Sequence, residues 1–166
     1  LPGVFVQNQW KLATDHQLLL GARYDYHSVH RSIFTPRMAY KWNYTSNAQL
    51  RFNIGTGFSV VSLFTEEHAA LTGSREVIIA ENLLPEKSWN INLNHLHHFE
   101  SENHGRFTVE TALWNTRFSN KIIPDYLCNS TQIIYANLTG YAISRGVSLN
   151  LDWISPYGLT LNAGAQ

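Results

Sequence analysis

The chain has 166 residues, a formal net charge of zero and one cysteine. A neutral balance argues against a nucleic-acid partner, whose phosphates favour a basic surface; the single Cys128 can form no internal disulfide and lacks the spaced partners of a thiolate zinc site. Charged residues are only 14% and aromatics 13%, against roughly 25% charge in an average soluble domain, yet mean hydropathy is -0.21 and no run approaches the roughly 20 apolar residues of a membrane helix. A β-barrel in a bilayer resolves the conflict, because each strand needs apolar residues on one face only. A soluble barrel or sandwich with an apolar interior gives the same averages.

In chain order, Val4 to Leu12 reads as a strand ending in a polar turn at Thr14-Asp15-His16. Gln17 to His27 alternates: Leu18, Leu20, Ala22, Tyr24 and Tyr26 share one face, Arg23 and Asp25 the other. Ser28 to Ser32 and then Pro36 are expected to break the pattern. Arg37 to Tyr44 alternates again, with Met38, Tyr40, Trp42 and Tyr44 against Arg37, Lys41 and Asn43. Gln49 to Phe58 is the most regular stretch. Leu50, Phe52, Ile54 and Phe58 oppose Gln49, Arg51, Asn53, Gly55 and Gly57.

After a long polar connection, Ser88 to Phe99 sets Trp89, Ile91 and Leu93 against Asn90, Asn92 and Asn94. A strand from Arg106 to about Phe118 follows a turn at Ser101 to Gly105. A second long connection runs to about Leu138, with a short strand expected at Ile133 to Tyr135. Tyr141 to Trp153 alternates once more, Ser155-Pro156-Tyr157-Gly158 is a tight turn, and Leu159 opens a last strand. The pattern at both ends looks interrupted, so the chain is expected to be a piece of a longer polypeptide. The reading is all-β: an antiparallel up-and-down transmembrane barrel segment of about nine strands. Connections at Thr14, Ser46, Glu102 and Pro156 are short; those at Ser28, Leu63 and Lys121 are longer. Short turns on one rim and long loops on the other mark an outer-membrane barrel. Charged residues facing a wet lumen cost little, whereas in a small dry core they would need partners.

Chemistry is sparse. There is no G-x-S-x-G, no phosphate loop and no H-E-x-x-H, and Glu66-Glu67-His68 lacks the second histidine of a zincin. No enzyme activity and no cofactor are expected. His95, His97 and His98 cluster at a strand end, with His104 in the next turn. Two imidazoles two residues apart can share a metal, but only Glu100 lies nearby, and a polar rim is the reading taken; no metal site is assigned. Asn43, Asn129 and Asn137 match glycosylation acceptors, to which no meaning is given on the outer-membrane reading.

Four pieces are distinctive together: LGARYDYH (Leu20 to His27), FTPRMAYKW (Phe34 to Trp42), LRFNIGTGFSVVSLF with NLLPEKSWNINL (Leu50 to Phe64 and Asn82 to Leu93), and SRGVSLNLDW (Ser144 to Trp153). In order and spacing they resemble the C-terminal barrel of TonB-dependent outer-membrane receptors, whose strands carry G-x-R-Y-D, P-R, G-x-G-F-R-x-P-x-L, N-x-x-L-x-P-E-x-S-x-N and G-x-E. Ser59 stands where the family has Arg, Val61 where it often has Pro, and Val147-Ser148 replaces Val-Glu. The resemblance implies a 22-stranded barrel with a plugged lumen in the outer membrane of a Gram-negative bacterium. Its partners would be outer-membrane lipid, the TonB energy-transducing complex acting through a plug outside this chain, and a scarce nutrient such as an iron–siderophore complex, cobalamin, haem or a glycan. Residues 1–166 would be part of one barrel domain. His68, Arg75, Glu76, Asp125 and Tyr126, in the two long loops, become candidate ligand contacts. Arg51, Asn53, Gly55, Gly57 and Asn90 become candidates for facing the lumen or plug. The alternatives are a passive porin-like or structural barrel segment, and a soluble β-sandwich binding module. A segment of nine strands cannot close such a barrel, so an open sheet or an intermolecular assembly is expected.

Overall fold

The computed structural model describes residues 2–60, 76–127 and 131–166. Its strands are β1 (Gly3–Lys11), β2 (His16–His27), β3 (Arg31–Thr45), β4 (Ala48–Ser59), β5 (Glu76–Ile79), β6 (Glu86–Ser101), β7 (Gly105–Asn120), β8 (Ile122–Asp125), β9 (Gln132–Asn137), β10 (Ala142–Ile154) and β11 (Thr160–Ala165). Eight of them form one sheet in the order β1-β2-β3-β4-β6-β7-β10-β11, every neighbouring pair antiparallel. β1 and β11 are its two edges, so the sheet is open. The other three, β5-β9-β8, form a separate small sheet.

The alternation of the sequence becomes two continuous faces. One cross-strand row joins Trp10, Leu18, Tyr40, Phe52, Leu93, Leu113 and Val147 across seven strands. The row one residue along joins Lys11, Gln17, Lys41, Arg51, Asn94, Ala112 and Ser148. A slip of one residue would exchange these rows, so the pattern holds the register. We call the apolar side the outer face and the polar side the inner face. Among the described residues nothing packs over the outer face: Val147 is 55% exposed and Leu113 44%. The long spanning strands, such as β6 and β7 at 16 residues each, exceed the 9–11 residues a tilted strand needs to cross a bilayer.

At the short-turn rim the outer face carries a belt of rings. Trp42, Tyr44, His95, His97, Phe99 and Phe107 follow one another with centroids 4.0 to 6.3 Å apart, and His16 stacks on Tyr40 and Trp42. Amphipathic rings favour a membrane–water interface. His95 also bonds the Tyr44 hydroxyl. His98, one residue on, points inward to the Thr108 hydroxyl. The three histidines are therefore divided between the faces.

Three expectations change. The β2–β3 connection is not long: His27 accepts the Val29 and His30 amides at Nδ1, closing a tight turn over 28–30. Nor does Pro36 end a strand. It sits just beyond the last β3–β4 pair, Arg37 with Gly55, while still alongside Ala22 of β2; its missing N–H interrupts no ladder on the β4 side. The nine-strand count also changes. The barrel sheet has eight, and the stretch around Ile133–Tyr135 is β9 of the small sheet, joined by β5 and β8, which alternation did not reveal.

Placing a cation in the middle of the outer face tests this assignment. Leu113→Arg should lower unfolding stability in lipid vesicles by about 2–4 kcal/mol. Ala112→Arg, one residue away on the inner face, should cost much less, and equal losses would mean the faces are misassigned.

Candidate ligand-gathering site

The two longest connections fold on each other. β5 comes from the first, β8 and β9 from the second; β5 runs parallel to β9 and β8 antiparallel to it. Val77, Ile78, Ile79, Ile122, Ile123, Ile133 and Ile134 supply the β-branched runs of these short strands, with Ile122 and Ile133 buried and Val77, Ile79 and Ile123 exposed. Ile122, Ile133 and Tyr135 form the one cluster of buried hydrophobic residues among the described residues, with Leu83 packed against it. Ile133 is 0% exposed.

A side-chain node fastens this platform to the barrel. The Asn137 backbone N–H donates to Glu81 Oε1 at 2.7 Å, and its Nδ2 donates to the Asn82 carbonyl at 2.9 Å. Its Oδ1 accepts from the Leu84 N–H at 2.9 Å and from Asn120 Nδ2 at 3.3 Å. Asn120 Nδ2 also donates to the Leu84 and Pro85 carbonyls at 3.1 Å. Glu86 Oε1 accepts the Ile122 N–H at 3.0 Å. The stretch from Asn82 to Glu86 is thus the point where the first loop is clasped by the second. Pro85, buried immediately before β6, fits there because its ring offers no N–H to a ladder.

The structure places the candidate residues unevenly. His68 and Arg75 lie outside the described residues, as do Val61 and Cys128. Glu76 opens β5 opposite Gln132. Asp125 ends β8, where its Oδ1 accepts the Leu127 N–H, and Tyr126 follows, 42% exposed. Asn53, Gly55, Gly57 and Asn90 border one inner-face trough of about 540 Å³ together with Gln7, Arg37 and Ser88. Arg51 lies outside that lining, in the inner row beside Lys41 and Asn94. Asn120, Glu81 and Asn137 were missed. Asn137 showed only as a glycosylation acceptor, although the nearby N-L-L-P-E string was a usable signal for its partner.

The inner wall is kept low by side chains laid sideways. Arg37 passes over Gly21 to bond Gln7; a β-carbon on Gly21 would meet Arg37 Nε at 2.9 Å. Trp114 lies over Gly146, where a β-carbon would meet the ring at 2.2 Å. Asp25, 0% exposed, is gripped by Arg23 through two bonds of 2.7 and 2.8 Å. Charge on this wall is divided. Lys11, Arg23, Arg37, Lys41 and Arg51 face inward from β1–β4 with Asp25 as their one acid; Glu86, Glu100, Glu110 and Asp152 face inward from β6–β10 with Arg106 as their one cation.

A sheet with an apolar outer belt, a charged inner wall, tight turns on one rim and a folded loop platform on the other is a segment of an outer-membrane β-barrel. Over residues 2–166 the chain matches the family described as TonB dependent receptor-like, beta-barrel, and it belongs to that family, whose members are outer-membrane transporters of Gram-negative bacteria rather than enzymes. No curated protein matches it. Among solved structures, it is similar to the siderophore receptor PirA from Pseudomonas aeruginosa at 16% identity and a TM-score of 0.72, covering 99% of this chain and 34% of that one. The FrpB iron transporter from Neisseria meningitidis matches at 15% identity and a TM-score of 0.68, over 98% of this chain and 24% of that one. The ferric enterobactin receptor PfeA from Pseudomonas aeruginosa, in complex with enterobactin, matches at 14% and 0.67, over 99% and 26%. At these identities the likeness concerns the fold. The chain spans about a quarter to a third of the length of these receptors.

Asn137→Ala removes the side-chain half of the clasp. Amide exchange in 82–86 and 132–137 should rise about tenfold or more, in keeping with a local loss of about 1–3 kcal/mol, while 106–113 stays unchanged. The platform also has a pH signature. Burial raises the Tyr135 phenol above its ordinary value of 10.0, and the neighbouring Tyr126 adds to the shift. The folded platform therefore holds the proton after the opened form has lost it, so platform stability is full below about pH 10 and falls above it. An absorbance titration at 295 nm should show one late-ionising phenol that Tyr135→Phe removes.

Proposed function

We propose that this chain is part of a receptor for energised, TonB-dependent uptake of an iron–siderophore complex, with residues 1–166 forming one stretch of its single barrel domain. The plug that receives the pull of TonB and the remaining strands lie elsewhere in the polypeptide on this reading. The observation that carries the proposal is the pairing of the two long loops into one clasped platform above a lumen wall whose β1–β4 half is cationic. A platform of that kind can capture a bulky ligand at the rim. Exposed Ile79, Leu84, Tyr126 and Leu127 offer it apolar and aromatic contact surface. Arg37, Lys41 and Arg51 would then favour an anionic chelate along the wall. The similar receptors described above are named for siderophores or iron, which supports the same ligand class.

A passive pore would need neither a platform nor an energised partner. Binding by the full-length receptor should therefore be strongest for a ferric siderophore, weaker for the iron-free siderophore, and negligible for cobalamin or an oligosaccharide. Uptake into iron-starved cells should stop when TonB is deleted, with surface binding retained. Lys41→Glu with Arg51→Glu should cut uptake about tenfold or more, with surface binding unaltered. Uptake that persists without TonB, or preferential capture of cobalamin or a glycan, would sink the proposal.

A further inference from the structure

The ionisable residues of the large sheet are sorted by face. Its strand carboxylates, Asp25, Glu86, Glu100, Glu110 and Asp152, all occupy inner rows. Three cations look outward instead: Lys87, opposite Phe58; Arg117, opposite Trp89 and Ile143; and Arg145, opposite Asn115. They sit on the adjacent strands β6, β7 and β10, each within four residues of the strand end that leads into a long connection. The opposite rim of the outer face carries His16, His95, His97 and rings, and no Lys or Arg.

The patch has the form of an anion site. Arg117 places its guanidinium 4.6 Å from the centre of the Tyr141 ring, and Trp89, 53% exposed, lies directly across the ladder from it. Neither Arg117 nor Arg145 has an ion-pair partner among the described residues. A cation turned toward hydrocarbon is costly at mid-bilayer, and the cost falls toward the interface. At the rim its long stem can lie against acyl chains while its head reaches the headgroup layer. Guanidinium groups match phosphate oxygens in paired, geometrically specific hydrogen bonds, and aromatic rings hold the interfacial depth. A random scatter of surface charge would include acids and both rims; this one includes neither. We propose that Lys87, Arg117 and Arg145 bind the phosphate of an outer-leaflet lipid headgroup. The inference rests on the outer-membrane location and is independent of which nutrient the receptor carries.

The test uses the full-length receptor, purified in dodecylmaltoside and stripped of bound lipid. Mixed micelles present a bisphosphorylated diglucosamine lipid or the same lipid with its phosphates removed; inorganic phosphate is titrated separately. The phosphorylated lipid should bind at least tenfold more tightly than the dephosphorylated one. Arg117→Gln with Arg145→Gln should abolish that preference, Arg117→Lys with Arg145→Lys should keep most of it, and inner-row Arg106→Gln should leave it unchanged. Should the double Gln variant fail to fold, Arg145→Gln alone should reduce the preference at least threefold. Equal binding of the two lipids, or a preference that survives loss of the arginines, would overturn the proposal. Inorganic phosphate binding as tightly as the lipid would also overturn it, by making the patch a free-anion site.

Discussion

The structure depends on a ladder of backbone hydrogen bonds whose apolar side has, among the described residues, no protein to lie against. Along the spanning strands, one residue in two turns outward. Of the apolar residues on the large sheet, only Ile33 and Ala48 are buried. In water such a sheet would leave its hydrophobic driving force unused. In a bilayer the acyl chains take the place of the missing layer, and the ladder satisfies the polar backbone that lipid cannot. The same condition explains why the largest buried apolar cluster lies outside the barrel sheet. Ile122, Ile133 and Tyr135 belong to loops that stand in water, where side chains must cover each other.

The inner wall follows from the same alternation with the opposite solvent. Facing a wet interior, Lys41 and Arg51 can stand side by side across a ladder without a carboxylate between them. Arg37 laid over Gly21 and Trp114 laid over Gly146 keep this wall in low relief. The division of charge between the two halves gives the wall a field with direction. On the function proposed above, an anionic chelate near this wall would be drawn toward β1–β4 and away from Glu110 and Asp152.

Much of the barrel was legible in the sequence because period-two alternation is a direct image of two solvents. The rows through Phe52 and Arg51 are visible as letters before any coordinates. Pro36 misled because its effect depends on which side of the strand is paired, and a sequence does not show where β4 begins to run alongside. The β5-β9-β8 sheet was hidden for a different reason. Its strands are short apolar runs of four to six residues from two separate loops, so their letters do not alternate between apolar and polar, and β5 pairs with a strand more than fifty residues away. Of the candidate residues, Asn53, Gly55, Gly57 and Asn90 fall along one trough because they share a face that the alternation displays. Asn137 was missed, since its four hydrogen-bond partners are distributed over 81–84 and Asn120. Arg117 and Arg145 were overlooked because each is the lone outward cation of its own strand, and only the registers of β7 with β6 and β10 bring them to one patch.

The clasp through Asn137 and Asn120 has a consequence for how such receptors diversify. Loops that stand apart can be exchanged one at a time, and each can drift independently. Here the first loop provides the central carbonyls and Glu81, and the second provides both asparagines. β5 likewise has a place only beside β9. A new ligand preference acquired by altering one loop alone would leave unpaired groups in the other. If the two loops gather the ligand as proposed, the heritable unit of specificity is the pair, and a graft from a relative would carry its recognition only when 76–86 and 120–137 are moved together.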